Sequence, residues 1–283
     1  MNQSSNWPNK ILMVYPKGFT VAYSINPYMK DQDGNLNQVD PSLAVSQWED
    51  LKAHFEKLGA EVSVIQGQED LPDMVFSANQ TFPFRDELGK GSIILSQMKS
   101  SYRQPEVNHF KSWAQENALS VYELSCSSSF EGMGDALWDY DKNEIYGGFG
   151  PRTEVAVYLE IEKITKAKVH RLKLVNENFY HLDTCLCLLG NSTAFAVREA
   201  FDQEGWQILK NQFSTLVEIS EEEALRNFAG NMFCLNGRDV VMQSGSHQTR
   251  KSLERLGFQV YEVETTEFMK AGGSVFCMKQ LYF

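Results

Sequence analysis

The repeating unit of this chain is clearest at residues 45–58 (VSQWEDLKAHFEKL), which are followed after two residues by 61–65 (EVSVI). In the first stretch, apolar residues return every three or four positions, which is the spacing of one face of an α-helix. In the second, apolar and polar residues alternate and the apolar ones are β-branched, which predicts a strand with one buried face. The sequence therefore predicts a unit made of an amphipathic helix, a short turn and a strand.

The same unit recurs four more times along the chain. Helices are predicted at 106–117, 154–166, 198–213 and 248–256, and the strands that follow them at 119–122, 169–172, 216–219 and 258–261. The units begin roughly 45 to 60 residues apart, a spacing typical of radially repeated folds. No linker or change of composition divides the chain, so we expect one catalytic domain over residues 1–283.

Short apolar runs between the helices predict additional strands. Examples are 92–95 (SIIL), 135–138 (DALW) and 240–242 (VVM). Five units of two strands, a helix and a strand would close into an α/β ring, which removes most sheet edges and leaves a central channel. An open α/β sandwich would show the same periodicity, so the pattern alone leaves both folds open.

The composition limits the classes of partner. The chain carries 26 basic and 37 acidic residues, a formal net charge of −11. Nucleic-acid binding rests on clustered Lys and Arg, so this balance argues against it and suits a small cationic ligand. We expect no membrane partner and a cytoplasmic protein, because the first residues lack a secretory signal and no apolar run approaches the roughly 20 residues of a membrane span. Oligomeric state is not readable from the sequence.

Three connections carry residues suited to chemistry. Glu131 and Asp135 flank two glycines in FEGMGD (130–135), which opens a predicted strand. His181 and Asp183 lie in YHLDT (180–184), where an extended backbone would point both side chains to one side, about 7 Å apart. Cys277 follows the glycine-bearing stretch 271–276 (AGGSVF). Function tends to lie in such connections.

These residues predict a nucleophilic cysteine and no cofactor. A thiol, an imidazole and several carboxylates, including Asp73 in PDMVFSAN (72–79), are the groups that such an enzyme needs. Cys185 and Cys187 are two residues apart, but no second CxxC or His pair completes a zinc set. We therefore expect no metal, and expect these two cysteines to face the core.

The motifs taken in order resemble the guanidino-group-modifying superfamily of the pentein fold. That superfamily includes arginine deiminase, dimethylarginine dimethylaminohydrolase, agmatine deiminase, arginine dihydrolase and the amidinotransferases. The resemblance spans nearly the whole chain and rests on INPYM (25–29), PDMVFSAN, FEGMGD, GFGPRT (148–153), YHLDT and GGSVFC (272–277). It implies a five-bladed α/β propeller with pseudo-fivefold ββαβ repeats, and so favours the ring over the sandwich.

The resemblance also implies roles for the residues that match its motifs. Cys277 would be the nucleophile and His181 the general acid and base. Glu131 would contact the guanidinium and orient His181. The implied substrate ligands are Asp183 for the guanidinium, Arg152 for a substrate carboxylate, Arg103 as a second such arginine, and Asp73.

Asn79 and Asn26 resemble one branch of the superfamily. Many deiminases have an Asp at the position of Asn79, whereas an Asn there and Asn26 in INPYM resemble the arginine dihydrolases, which release ornithine. An Asp carboxylate only accepts hydrogen bonds, but an Asn amide also donates them. A donor could hold the ureido oxygen of citrulline, so that a second attack follows the first.

Several alternatives stay open on the sequence. An amidinotransferase would share the covalent intermediate and pass the amidine to an amine. A dimethylarginine or citrulline hydrolase would use the same groups, although dimethylarginine hydrolases tend to lack the Asp of HLD. A non-catalytic pentein binding protein would not need Cys277, His181 and both acids together. The substrate tail, that of arginine or of agmatine, is not fixed by these residues.

Overall fold

The structure is a computed structural model that describes residues 7–283 and contains five three-stranded sheets. The strands of the first sheet are β15 (Gln280–Tyr282), β1 (Lys10–Tyr15) and β2 (Glu61–Gln66). Those of the next two are β3 (Thr81–Arg85), β4 (Gly91–Leu95) and β5 (Ser120–Tyr122), then β6 (Ala136–Asp139), β7 (Glu144–Phe149) and β8 (Lys168–Lys173). The last two comprise β9 (Leu186–Gly190), β10 (Thr193–Ala196) and β11 (Thr215–Glu218), then β12 (Phe233–Cys234), β13 (Asp239–Gln243) and β14 (Gln259–Val263).

Every sheet has the same internal plan. Its first two strands are antiparallel, and the second and third are parallel, as the helix between them requires. The five connecting helices are α1 (Pro41–Lys57), α2 (Glu106–Glu116), α4 (Tyr158–Thr165), α5 (Gln203–Gln212) and α7 (His247–Arg255). Three shorter helices are α3 (Gly132–Asp135), α6 (Glu221–Asn227) and α8 (Thr266–Met269). The protein is therefore a five-bladed α/β propeller of ββαβ repeats, and the ring is confirmed over the sandwich.

The first sheet joins the two ends of the chain. Strand β15 pairs antiparallel with β1, with Lys10 opposite Tyr282 and Leu12 opposite Gln280. The first strand of this blade thus comes from the C-terminal end and its other two from the N-terminal end. This pairing fixes Cys277, which lies three residues before β15, against the rest of the ring.

The helix α1 shows how local sequence sets these elements. Asp40 accepts hydrogen bonds from the backbone N–H groups of Ser42 and Leu43, and Pro41 occupies the first helical position. The side chains of Trp48 and Phe55, about two and four turns further on, lie on the buried face. The predicted helical periodicity is the packing face of the observed helix.

Two predicted helices begin later than expected. The single helix predicted over 198–213 is wrong, because Arg198–Ala200 forms a separate 3₁₀ turn and α5 starts only after Asp202, whose carboxylate caps it by accepting from Gly205 N at 2.8 Å. The helix predicted from 154 likewise begins as a 3₁₀ turn at Val155–Val157. Periodicity alone does not separate a 3₁₀ turn from the helix it precedes.

One hydrophobic cluster draws residues from all five sheets, including Ile11, Ile94, Ile145, Phe195 and Val241. A second cluster joins strands β1 and β4 of the first two blades with helix α2. The first strands contact each other between neighbouring blades, as β15 does with β3 and β9 with both β6 and β12. These strands surround the centre of the ring. Within the described chain, none of the helices combines the length and apolar character needed to cross a bilayer.

Candidate active site

The site is built by the five segments that lead into the first strand of each blade. Each of these segments places a buried polar residue shortly before its strand. The residues are Asn79 before β3, Glu131 and Asp135 before β6, His181 and Asp183 before β9, Asn231 before β12, and Cys277 before β15. The pseudo-fivefold repeat puts these positions at the same end of the ring, so residues distant in sequence meet there.

Cys277 is held by an acid and an amide. Its Sγ lies 3.1 Å from Asp183 Oδ2 and 3.2 Å from Asn231 Nδ2. Asn231 also donates to the carbonyl of Asp183 at 2.9 Å, and its Oδ1 accepts from the backbone N–H of Phe276 at 3.1 Å and of Cys277 at 3.3 Å. The sulfur is thus fixed between two blades in a defined orientation.

The unliganded site favours the protonated thiol. Burial, together with the nearby Asp183 carboxylate, raises the pKa of Cys277 well above its usual value. Burial also raises the pKa of Asp183 to about 7, although Cys277 and Lys279 act in the opposite direction. A positive charge entering the cavity would favour ionisation of both groups.

His181 is paired with Glu131 on the other side of the site. His181 Nε2 lies 2.6 Å from Glu131 Oε2, and Arg152 Nη1 lies 3.2 Å from the same oxygen. Burial alone would raise the pKa of Glu131, but His181, Arg152 and Arg103 outweigh it and hold this pKa well below its usual value. Glu131 is therefore ionised at neutral pH and able to orient the imidazole.

The backbone around His181 differs from the extended segment that we predicted. His181 itself is extended, with φ −126° and ψ 152°, but Leu182–Thr184 forms a 3₁₀ turn. This turn sends the two side chains to different partners, His181 to Glu131 and Asp183 to Cys277. Similarly, residues 132–135 form the short helix α3, so the strand predicted from Asp135 begins one residue later.

A cavity of about 280 Å³ joins these groups. Seven of the nine residues predicted from the sequence line it, namely Cys277, His181, Asp73, Asn79, Arg103, Arg152 and Asn26. Glu131 and Asp183 lie directly behind, hydrogen-bonded to His181 and Cys277. The convergence of a thiol, an imidazole and distant acids on one pocket is therefore present.

Three buried polar atoms of the predicted substrate-binding residues have no partner within residues 7–283. They are Asp73 Oδ1, Asp183 Oδ1 and Asn79 Nδ2. The other Asp73 oxygen accepts from Tyr23 Oη at 2.9 Å. Buried polar atoms are normally hydrogen-bonded. Two free carboxylate oxygens and one free amide N–H suit a ligand that donates several N–H groups and also accepts one bond.

Arg103 lines the cavity, but its guanidinium is engaged by groups of the protein. Its Nε and Nη2 bond to Glu106 at 3.0–3.2 Å, and Nη2 also donates to the carbonyls of Asp73 and Phe76. Its Nη1 donates to Asn79 Oδ1 at 2.8 Å. This contact turns the amide N–H group of Asn79 away from the arginine, and a direct contact of Arg103 with substrate stays a prediction.

Arg152 and Asn26 are also engaged by the protein. Arg152 pairs with Glu131 and donates through Nη2 to the carbonyl of Ile25 at 2.7 Å. Asn26 Nδ2 donates to the carbonyl of Ala271 at 3.0 Å and its Oδ1 accepts from Tyr28 N. Asn26 thus holds the loop before Cys277, and a direct contact of either residue with substrate stays a prediction.

Arg103→Met is expected to lower the free energy of unfolding by about 3–5 kcal/mol, because it leaves the fully buried carboxylate of Glu106 without its cation. The double variant Arg103→Met/Glu106→Leu should recover most of this loss, since removing both charges leaves no unpaired ion. Urea unfolding of the three proteins measures the effect. A single variant as stable as the wild type would show that this pair does not hold the site.

Asn231 was missed by the sequence analysis, although it contacts both Cys277 and Asp183. A signal was available, because Ala229–Asn231 is a turn that leads into β12 just as the predicted motifs lead into their strands. Recognising the repeat at residue level would have pointed to it.

The structure also describes the cysteines and the arrangement of possible metal ligands. All five cysteines are free, and Cys185 and Cys187 are buried as expected. Among residues 7–283, no group of three or more His, Cys, Asp or Glu side chains has an arrangement that could hold a metal ion.

Relatives of known sequence match nearly the whole chain. A family profile described as "N,N dimethylarginine dimethylhydrolase, eukaryotic" matches residues 15–282. The bifunctional arginine dihydrolase/ornithine cyclodeaminase AgrE of Nostoc sp. is 35% identical over 271 residues, which cover 95% of this chain but only 37% of that protein. An N(G),N(G)-dimethylarginine dimethylaminohydrolase of Mycobacterium tuberculosis is 30% identical over 269 residues, covering 94% of this chain and 83% of the relative.

Solved structures are similar over nearly the whole chain. Two crystal structures of the N-terminal domain of ArgZ, a cyanobacterial arginine dihydrolase, have TM-scores of 0.89 and 34% identity, covering 96% of this chain and 97% of that domain. One is a cysteine-to-serine variant bound to substrate, and the other is an asparagine-to-serine variant covalently bound to a reaction intermediate. By sequence and by fold, this chain belongs to the N,N-dimethylarginine dimethylhydrolase family of guanidino-modifying pentein enzymes.

Proposed function

We propose that this chain hydrolyses the guanidino group of arginine through a covalent intermediate on Cys277, and that it releases ornithine, carbon dioxide and two molecules of ammonia. The observation that carries the proposal is the convergence of Cys277, His181 and Asp183 around one cavity with unpaired acceptors. We further propose that residues 1–283 act as one catalytic unit in the cytoplasm, with a small guanidino compound as their ligand.

Binding of the substrate prepares the nucleophile. The guanidinium donates N–H groups to the free oxygens of Asp73 and Asp183, which bring its positive charge beside the sulfur. This charge offsets the burial that keeps the Cys277 thiol protonated. The substrate thus lowers the pKa of the thiol that attacks it, and the thiol stays unreactive in the empty site.

The first round produces citrulline. The Cys277 thiolate forms a bond to the guanidinium carbon, and His181, held by Glu131, protonates the departing nitrogen so that ammonia leaves. The product is an S-alkylthiouronium on Cys277. His181 then takes a proton from water, whose oxygen attacks the same carbon, and the C–S bond breaks to release the ureido product.

The second round consumes the citrulline in place. The thiolate attacks the ureido carbon, a second ammonia leaves, and water releases a carbamate that loses carbon dioxide to give ornithine. This round needs a hydrogen-bond donor for the ureido oxygen. Asn79 Nδ2 is such a donor, because Arg103 occupies Asn79 Oδ1 and leaves the N–H group free.

Asn79→Asp is expected to lower the ammonia released per arginine from two to one, with citrulline accumulating. An aspartate accepts from Arg103 and presents an oxygen to the cavity, which suits the guanidinium but repels the ureido oxygen. Ammonia assays and mass spectrometry of the products measure this ratio. Asn231→Asp serves as a matched amide control and should lower the rate without changing the ratio, and an unchanged ratio of two in Asn79→Asp would refute the role of Asn79.

Dimethylarginine hydrolysis is the second candidate, because the matching family profile carries that description. An amidinotransferase shares the first half of the reaction, and a binding protein shares none of it. Incubation with arginine, agmatine, citrulline and dimethylarginine, without any amine acceptor, separates these functions. We expect ornithine and ammonia from arginine. Dimethylamine release from dimethylarginine alone would favour the second candidate, and the absence of both ammonia and dimethylamine from all four would exclude hydrolysis.

A further inference from the structure

Lys279 lies two residues after the nucleophile and is fully buried, with 0% of its surface exposed. Its Nζ has no hydrogen-bond partner within the described part of the chain. The ammonium lies 3.2 Å from the ring centroid of Phe276, the residue before Cys277, and 4.5 Å from that of Phe233. Both rings also line a mostly apolar cavity of about 630 Å³, so the surroundings on that side are apolar.

Such a lysine is costly for folding. An ammonium without a hydrogen-bond acceptor loses its hydration free energy on burial, and contacts with aromatic rings offset only part of that free energy. A methionine or leucine would fill the same space without this cost. Burial accordingly lowers the pKa of Lys279 to about 7. A charged group that destabilises the fold and lies beside a reactive group indicates a functional role.

The groups whose charges act on Lys279 define that role. Asp183, Cys277 and Cys187 are the titratable neighbours, and negative charge on each favours the ammonium form. Lys279 in turn favours the ionised form of Asp183. The free Asp183 Oδ1 and the Cys277 sulfur are the two atoms that must carry negative charge when a guanidinium binds and is attacked.

We propose that Lys279 is a positioning residue for the nucleophile, whose ammonium supplies the positive charge that lets Asp183 and Cys277 carry negative charge inside the buried site. It does not touch the substrate. Phe276 and Phe233 hold it in place and exclude other partners on their side. This inference rests on the proposed function only in taking Cys277 as the nucleophile.

Lys279→Met tests the proposal, because methionine has a similar length and keeps the contacts with the rings. The rate at which iodoacetamide alkylates Cys277 is measured from about pH 6 to 9.5 by mass spectrometry of its peptide. We expect alkylation of Cys277 in Lys279→Met to be about tenfold slower below about pH 7, where the wild type carries the ammonium, and the two rates to converge towards pH 9.5. The half-buried Cys126 gives an internal control in the same digest.

Turnover of arginine should show the same pH dependence. The wild type carries the Lys279 ammonium only below the lysine pKa of about 7, so kcat/KM of Lys279→Met should be about tenfold lower near pH 6.5 and approach the wild-type value towards pH 9. A purely structural lysine would give a deficit that is the same at every pH. Alkylation reports thiol ionisation whether or not arginine is turned over, so failure of this inference and failure of the proposed function are distinguishable.

Stability provides the remaining readout. Because the ammonium is a cost for folding, Lys279→Met should unfold at the same temperature as the wild type or higher near pH 7. Lys142→Met is the matched control, since Lys142 also lies over an aromatic ring, 4.5 Å from the centroid of Phe213, but its ammonium pairs with Asp139 and not with the groups around Cys277. It should leave the alkylation profile unchanged. A Lys279→Met protein that fails to fold, or whose alkylation profile superimposes on the wild type, would overturn the proposal.

Discussion

Cys277→Ser is expected to lower kcat for arginine by about 10⁴-fold or more while the fold survives. A serine hydroxyl in the same position has a far higher pKa than a thiol, so the entering guanidinium cannot ionise it. Losing the nucleophile of a covalent mechanism removes the whole pathway, and such losses are among the largest that single substitutions cause. Ammonia release under saturating arginine, with circular dichroism of the purified variant, measures both parts.

Cys126→Ser is the control for this substitution, because Cys126 is a free, half-buried thiol that does not line the cavity. It should retain essentially full activity. A Cys277→Ser protein with turnover close to that of the wild type would remove the mechanism altogether, since no other cysteine lines the cavity among the described residues.

His181→Ala is expected to lower kcat by about 10²–10⁴-fold, the usual contribution of a positioned proton donor and acceptor. Without the imidazole, no side chain protonates the departing amino group, and no base takes a proton from the attacking water. The covalent intermediate should therefore form slowly and also persist. Steady-state kinetics, with ammonia release as the readout, measure the effect.

The chain offers a closely matched control for His181. His170 is also buried and also pairs with a glutamate, its Nε2 lying 2.7 Å from Glu144 Oε2, but it does not line the cavity. His170→Ala should cost stability, as the loss of any buried His–Glu pair does, and leave kcat within a few-fold of the wild type. Equal losses of kcat in both variants would mean that His181 acts only through the fold.

The architecture was predictable because its signal is repeated. The five helix-and-strand units each carry a strong period, and the strands observed at Glu61–Gln66 and Lys168–Lys173 differ from the predicted ones by a single residue at any end. The predicted boundaries that were wrong depend on local contacts. The break at Phe201 depends on a cap from Asp202, and the turn at Leu182–Thr184 depends on packing against α3, and neither changes the hydrophobic pattern.

The site was predictable only as a set of residues. The motifs identified the groups that converge, but hydrogen-bond partners depend on three-dimensional contacts between blades. Arg103 illustrates the limit, because nothing in its sequence neighbourhood indicates that Asn79 and the backbone of residues 73–76 occupy its guanidinium. Lys279 illustrates it further. A lysine is ordinarily exposed, and the packing of this one against the rings of Phe276 and Phe233 depends on contacts between distant segments.

The covalent step can be observed directly. The His181→Ala protein, mixed with arginine and quenched in acid, should carry an adduct on the Cys277 peptide whose added mass equals arginine minus ammonia. The same adduct should be absent from Cys277→Ser. If the His181→Ala protein consumes arginine while its Cys277 peptide stays unmodified at every time point, the guanidinium carbon is not attacked by this sulfur.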